Sequence, residues 1–245
     1  MNKIDGLPQE VGFVFIHGAG LNSGIWSKTV ESFGYPYLLV DYPNRSGRHD
    51  AGNKLTLADY TAYMHEQIKQ WGIQRFILVA HSLGGVLALR LAEAFKERIA
   101  GFIAIGAIIP SKGNSFLSTL PMPNRILMHA LLRMIGTRPP KSAIRAGICH
   151  DLTEEQAAEL IDGYIPESLR VYLDRSDSPV PPVKKLYVKL SNDKELSPAM
   201  QNKMIANLEP HAVQSMNTGH LPMLGNPAQL RELLQSFLTY SAEAP

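Results

Sequence analysis

An open α/β architecture, with a mostly parallel, doubly wound sheet, is what this sequence predicts. Three observations lead there. Short, wholly apolar runs alternate with helical stretches over the first hundred residues. The apolar runs are rich in Val, Ile and Phe, as strands buried on both faces must be. Serine, glycine and aspartate then cluster where the strands end, which is where open parallel sheets carry their chemistry.

Taken in chain order, Val11–Ile16 (VGFVFI) is a first strand and Tyr37–Val40 (YLLV) a second, ending at Asp41. Residues 57–71 carry Leu57, Tyr60, Met64, Ile68 and Trp71 at helical spacing, and Gly72 follows as a stop. A third strand falls at 75–80, an Ala- and Leu-rich helix at 86–95, and a fourth strand at Ile99–Ile105. The rhythm then changes. From about 110 to 182 no strand is predicted, and helical patterns occupy 124–135, 153–162 and 166–173. Thr153 with Gln156 reads as a capping box. Strand character returns at Lys185–Leu190. A helix at Pro198–Leu208, a weaker strand at Ala212–Met216 and a last helix over 227–238 complete the chain. One domain follows, residues 1–245, with a helical insertion of roughly 70 residues at about 110–182.

Composition bounds the function. The 245 residues are 45% hydrophobic and 19% charged, an ordinary globular mixture able to bury a core without staples. Lys and Arg number 24 against 22 Asp and Glu, leaving +2 and no field to attract nucleic acid or an anionic membrane. Cys149 is the single cysteine, so no internal disulfide and no cysteine zinc cluster is expected. The first ten residues (MNKIDGLPQE) lack a secretory apolar run, and no stretch approaches the roughly 20 apolar residues of a membrane span, so a cytoplasmic setting is expected.

Four features ask for a common explanation. Ala80-His81-Ser82-Leu83-Gly84-Gly85 lies between an apolar strand and an apolar helix. A serine there rides a sharp turn that needs small neighbours and exposes its Oγ, with the Leu83 N–H at a helix N-terminus. His17-Gly18-Ala19-Gly20 follows the first strand, where the Ala19 N–H can meet a developing oxyanion. Thr218-Gly219-His220 follows a weak strand and supplies a base near neutral pKa. Asp193 follows the strand KLYVKL and offers an acid to orient that base. Glu195 is the fallback, and Asp41, Asp162, Asp174 and Asp177 stay open. The chain order Ser82, Asp193, His220 differs from the orders of the chymotrypsin and subtilisin classes.

At these residues the sequence resembles the α/β-hydrolase superfamily over nearly its whole length. FVFIHGAGLNSGIW is similar to the start of the methyl-esterase, hydroxynitrile-lyase and pyrethroid-hydrolase branch. AHSLGG resembles the nucleophile elbow, SNDKELSPAMQNKM the acid segment and TGHLPMLGNPAQL the histidine loop. The resemblance implies an α/β-hydrolase fold with a helical cap. It implies Ser82 as nucleophile, His220 as base, Asp193 as acid, and Ala19 and Leu83 as backbone oxyanion donors. A serine hydrolase of small carboxylic esters, without cofactor or metal, is the expected activity. Carbon–carbon hydrolysis, lactone opening, cyanohydrin cleavage and ligand reception on the same core are the alternatives. DYPNRSGRHD departs from the family's usual pattern after the second strand.

Several patterns mimic other chemistries. Gly18-x-Gly20-x-x-x-Gly24 with Asp41 imitates a dinucleotide fingerprint, but its last spacing is wrong. Neither Tyr60 nor Tyr63 has a lysine four residues on. Cys149-His150 lacks an elbow and reads as packing. Histidines 49, 65, 81, 129, 150 and 211 show no zinc spacing. Arg45, Arg48 and His49 read as a solvated basic loop. Met122, Met128 and Met134 read as helix packing with a share in an apolar pocket.

Overall fold

The computed structural model describes residues 11–45 and 54–242; the polar first ten residues, Arg48 and His49 lie outside them. Among the described residues one sheet of six strands forms: β1 (Val11–Ile16), β2 (Tyr37–Val40), β3 (Arg75–His81), β4 (Ile99–Ile105), β5 (Lys185–Leu190) and β6 (Ala212–Met216). Their order is β2-β1-β3-β4-β5-β6 and every pairing is parallel. Alternation explains why the central strands are apolar throughout. In β3, Phe76, Leu78 and Ala80 face one hydrophobic cluster while Ile77 and Val79 face another. Phe13 and Phe15 join the second cluster, Val14 and Ile16 the first. Both edge strands are weaker, since Tyr37 and Val213 stand exposed.

The helices are α1 (Ser27–Val30), α2 (Leu57–Gln70), α3 (Gly84–Ala94), α4 (Met122–Ile135), α5 (Lys141–Ala146), α6 (Glu154–Asp162), α7 (Leu169–Leu173), α8 (Pro198–Leu208), α9 (Pro222–Gly225) and α10 (Pro227–Ala242). Tyr60, Met64 and Ile68 seat α2 on the face that also receives α3, while Leu230 and Leu234 seat α10 on the other. Thr56 caps α2 in a reciprocal box with Asp59, and the box of Thr153 with Gln156 opens α6 where the spacing puts it.

Between β4 and β5 the described chain holds α4 to α7 and no sheet strand. Two differences from expectation lie there. The helix expected over 166–173 begins only at Leu169, because Ser168 is its N-cap and Ile165 is held in a bridge to Gly20. A short helix, α5, follows Pro140, a position where proline starts a helix rather than interrupting one. No helix among the described residues is long and apolar enough to cross a membrane.

Candidate active site

The turn from β3 into α3 raises Ser82 above the sheet edge. Ser82 holds φ +50°, a left-handed conformation that costs a non-glycine residue energy and persists only when its surroundings enforce it. They do: the Ser82 carbonyl accepts from Gly85 N–H at 3.1 Å and from Ile108 N–H at 2.9 Å. Gly84 and Gly85 are needed for close approach. A Cβ on Gly84 would meet the backbone carbonyls of Ile16 and His17, and one on Gly85 would meet that of Ile108. Ala80, where the usual pattern has glycine, is fully buried beside Ile16 and Ala104 and fits there.

His220 reaches Ser82 from the loop between β6 and α9. Its Nε2 lies 3.1 Å from Ser82 Oγ and its Nδ1 2.8 Å from Asp193 Oδ2. A carboxylate oxygen only accepts here, so Nδ1 carries the proton and Nε2 is free to accept from Ser82. The other carboxylate oxygen, Asp193 Oδ1, accepts from the N–H groups of Glu195 at 2.7 Å and Leu196 at 3.0 Å. Burial opposes charge on both partners. On Asp193 it is outweighed by the bond and charge of His220 and by those two N–H groups, and the pKa falls below 3.8. On His220 burial is outweighed by the bond to Asp193 and the charges of Asp193, Glu195 and Asp151, and the pKa rises above 6.5.

The other acids considered lie elsewhere. Asp41 accepts from Ser23 and approaches His17 at 3.6 Å, Asp174 pairs with Arg170, and Asp162 with Lys141. Glu195 lines the cavity in front of Ser82 but makes no contact with Nδ1; desolvation raises its pKa. His81 was not singled out by spacing. It is fully buried, its pKa is pushed down to about 3 by burial and by His220, and its neutral ring donates from Nε2 to the His220 carbonyl at 2.8 Å. A histidine directly before the elbow serine was the available signal.

Ala19 and Leu83 line the same cavity of about 210 Å³ as Ser82 and His220. Part of its remaining wall comes from the helical segment, including Phe116, Leu120, Met128, Leu132, Tyr164 and Tyr172, and part from Leu21, Glu195, Leu196, Met200 and Leu221. Among the described lining residues Glu195 is the one carboxylate. Cys149 is buried, its thiol pushed up to about 11 by burial, and it does not line this cavity. No metal-ligating cluster occurs among the described residues.

Arg45 corrects the expectation of a solvated loop. Its side chain is buried against the fully buried Glu167, because that carboxylate would otherwise have no countercharge in the interior. The methionine expectation also divides. Met128 lines the cavity, whereas Met122 and Met134 are exposed and pack into no core, since α4 has no buried residue.

A family model described as the alpha/beta hydrolase family matches residues 13–233. The chain belongs to that family. Among curated relatives it is 25% identical to putative methylesterase 12, chloroplastic, of Arabidopsis thaliana, over 91% of this chain and 70% of that one. It is 24% identical to methylesterase 17 of the same plant, over 91% and 89%. The chain spans 57% of the length of another such relative, putative methylesterase 13, chloroplastic. Among solved structures, an extracellular alpha/beta-hydrolase from a Paenibacillus species superposes with a TM-score of 0.82 at 20% identity, covering 92% of this chain and 98% of that one. A pyrethroid hydrolase from Sphingobium faniae gives 0.77 at 22%, covering 96% and 100%. These likenesses show an α/β-hydrolase fold; the methylesterase relatives support an esterase-type hydrolase.

Proposed function

We propose that this hydrolase cleaves small carboxylic esters through an acyl-enzyme formed on Ser82. The supporting observation is the continuous contact from Ser82 Oγ through His220 to Asp193 at the floor of an apolar cavity. In this reading Ser82 Oγ attacks the ester carbonyl carbon as its proton passes to His220 Nε2. The carbonyl oxygen becomes the oxyanion, received by the N–H groups of Ala19 and Leu83. Collapse breaks the carbon–oxygen bond, and the leaving alkoxide takes the proton from Nε2. Water then attacks the acyl group, gives its proton to Nε2, and releases the acid as Ser82 regains a proton. Asp193 holds the imidazole tautomer and stabilises its charged form. The segment from 110 to 182 acts as the cap that selects the acyl or alcohol part. The lone cysteine is compatible with a cytoplasmic setting.

The test is a chain-length series of nitrophenyl esters on the wild type and Ser82→Ala. Short esters are expected to turn over. The variant is expected to lose about 10⁴-fold or more in kcat with an unchanged circular dichroism spectrum. Ester hydrolysis surviving in Ser82→Ala would overturn the assignment. A dedicated lyase would leave nitrophenyl esters intact, and a ligand receptor would leave Ser82 unlabelled by a fluorophosphonate.

A further inference from the structure

Glu167 sits 122 residues from Arg45 and 147 from Gly20, yet joins both. It is fully buried. Oε1 accepts from the Gly20 N–H at 3.0 Å and from the Arg45 guanidinium; Oε2 accepts from the Tyr60 hydroxyl at 3.0 Å. Its backbone is held as well. Thr137 Oγ1 donates to the Glu167 carbonyl at 2.5 Å, and Ser168 N–H donates to the Tyr60 hydroxyl at 3.0 Å. Two residues earlier, Ile165 N–H donates to the Gly20 carbonyl at 3.0 Å. Gly20 is therefore gripped through both its N–H and its C=O by the stretch that precedes α7.

The grip falls on the residue after Ala19. Gly18-Ala19-Gly20 is a loop with great backbone freedom, and Gly20 adopts φ +77°, where a Cβ would run into the Tyr164 ring. An oxyanion donor must be held before the charge develops, because its orientation decides how much it stabilises. On the near side the loop is anchored by His17, whose Nδ1 lies 2.8 Å from the Gly18 carbonyl. On the far side the anchor is Glu167.

We infer that Glu167 is a positioning residue: it fixes the Ala19-bearing loop against Ser82 and makes oxyanion stabilisation depend on how the helical segment is seated. The inference rests on the ester-hydrolase reading, with Ala19 as donor. Arg45 pairs with the carboxylate in the interior, and the Tyr60 hydroxyl donates to its second oxygen.

Two substitutions separate reach from charge. Glu167→Gln keeps an acceptor at the same distance from Gly20 but loses the charge; Glu167→Asp keeps the charge but withdraws it by one methylene. Rates on 4-nitrophenyl butyrate are normalised to sites titrated with a fluorophosphonate. Glu167→Asp is expected to lose about 10- to 100-fold in kcat with KM within about threefold, and Glu167→Gln to stay within about fivefold. Affinity for a trifluoromethyl ketone, which captures Ser82 as an oxyanion adduct, falls in step with kcat. Thermal stability runs the other way, with Asp above Gln, because only Asp still neutralises Arg45. Wild-type kcat per site in Glu167→Asp, or rates that merely follow thermal stability, would overturn the inference.

If the buried charge prevents folding of the single variants, Arg45→Met is combined with Glu167→Gln or Glu167→Leu. Both pairs are uncharged, and only the Leu pair is expected to lose the rate. Amide hydrogen exchange at residues 18–20 reads the grip without turnover: faster exchange in Glu167→Asp is expected, and unchanged exchange sinks the inference. Ester turnover surviving in Ser82→Ala would instead refute the ester-hydrolase reading, and the exchange result would still stand.

Discussion

In the proposed mechanism, His220 is the residue whose charge decides when the site works. Its pKa is raised above 6.5 despite burial, through its bond to Asp193 and the neighbouring carboxylates. Only the neutral ring accepts the Ser82 proton, so kcat/KM is expected to rise with pH through an inflection above 6.5. Asp193→Asn removes the charged acceptor and favours the wrong tautomer; kcat is expected to fall by about 10⁴. The pair also contributes to stability, with opposite pH signs. A raised His220 pKa stabilises the fold in full below 6.5, and that contribution fades as pH climbs through the folded value. A lowered Asp193 pKa stabilises in full above 3.8 and fades as pH falls through its folded value. The difference in thermal midpoint between wild type and Asp193→Asn should therefore be largest between about pH 4 and 6.5. A difference that grows above pH 8 would contradict the coupling.

At the scale of elements, the β3–α3 turn is where local sequence and tertiary packing meet. Gly85 lies against the Ile108 carbonyl, a backbone atom that has no rotamer to yield. Gly85→Ala is expected to cost about 1–3 kcal/mol, read as a lower denaturant midpoint with the slope unchanged. A neutral result would mean that the strand β4 and its exit can shift. This turn was legible in the sequence because its requirements are local: an apolar strand, a serine, small residues, an apolar helix. Asp193 and His220 were legible for the same reason, as strand-end residues in a fixed chain order. The Arg45–Glu167 pair was not, since Arg45 reads as a solvated loop charge and Glu167 falls within an expected helix, with nothing local to join residues 122 apart. His81 leaves one local trace, its place directly before the elbow serine; its burial comes from packing that no spacing shows. The short α5, six residues long after Pro140, is too brief to show a helical period.

Across the whole molecule, what each helix buries sets α4 apart from the rest. The sheet and its flanking helices share their two buried clusters with the segment between β4 and β5, where Ile144, Ala157, Leu160 and Ile161 join one and Val171 and Tyr172 the other, whereas α4 buries none of its residues fully. Among the described residues, seven of the ten exposed large hydrophobics lie on α4: Met122, Ile126, Leu127, Met128, Leu131, Met134 and Ile135. Helical periodicity alone cannot tell a core-facing stripe from one such as this, which explains why core packing was expected of Met122 and Met134. The helix nevertheless lends Met128 and Leu132 to the cavity in front of Ser82. Its faces should respond differently to substitution. Ile126→Gln with Met134→Gln removes apolar surface that no core uses, so stability should move by no more than about 0.5 kcal/mol and the ester chain-length profile should be unchanged. Leu132→Ala removes a wall of the cavity. It should shift the preferred ester toward longer chains and raise KM for short ones, with kcat on the best substrate largely kept, because the groups proposed to carry the chemistry sit on the sheet edge. Parallel chain-length series on both variants check this. An unchanged profile in Leu132→Ala, or a collapse of stability in the double variant, would show that α4 serves the fold rather than the substrate.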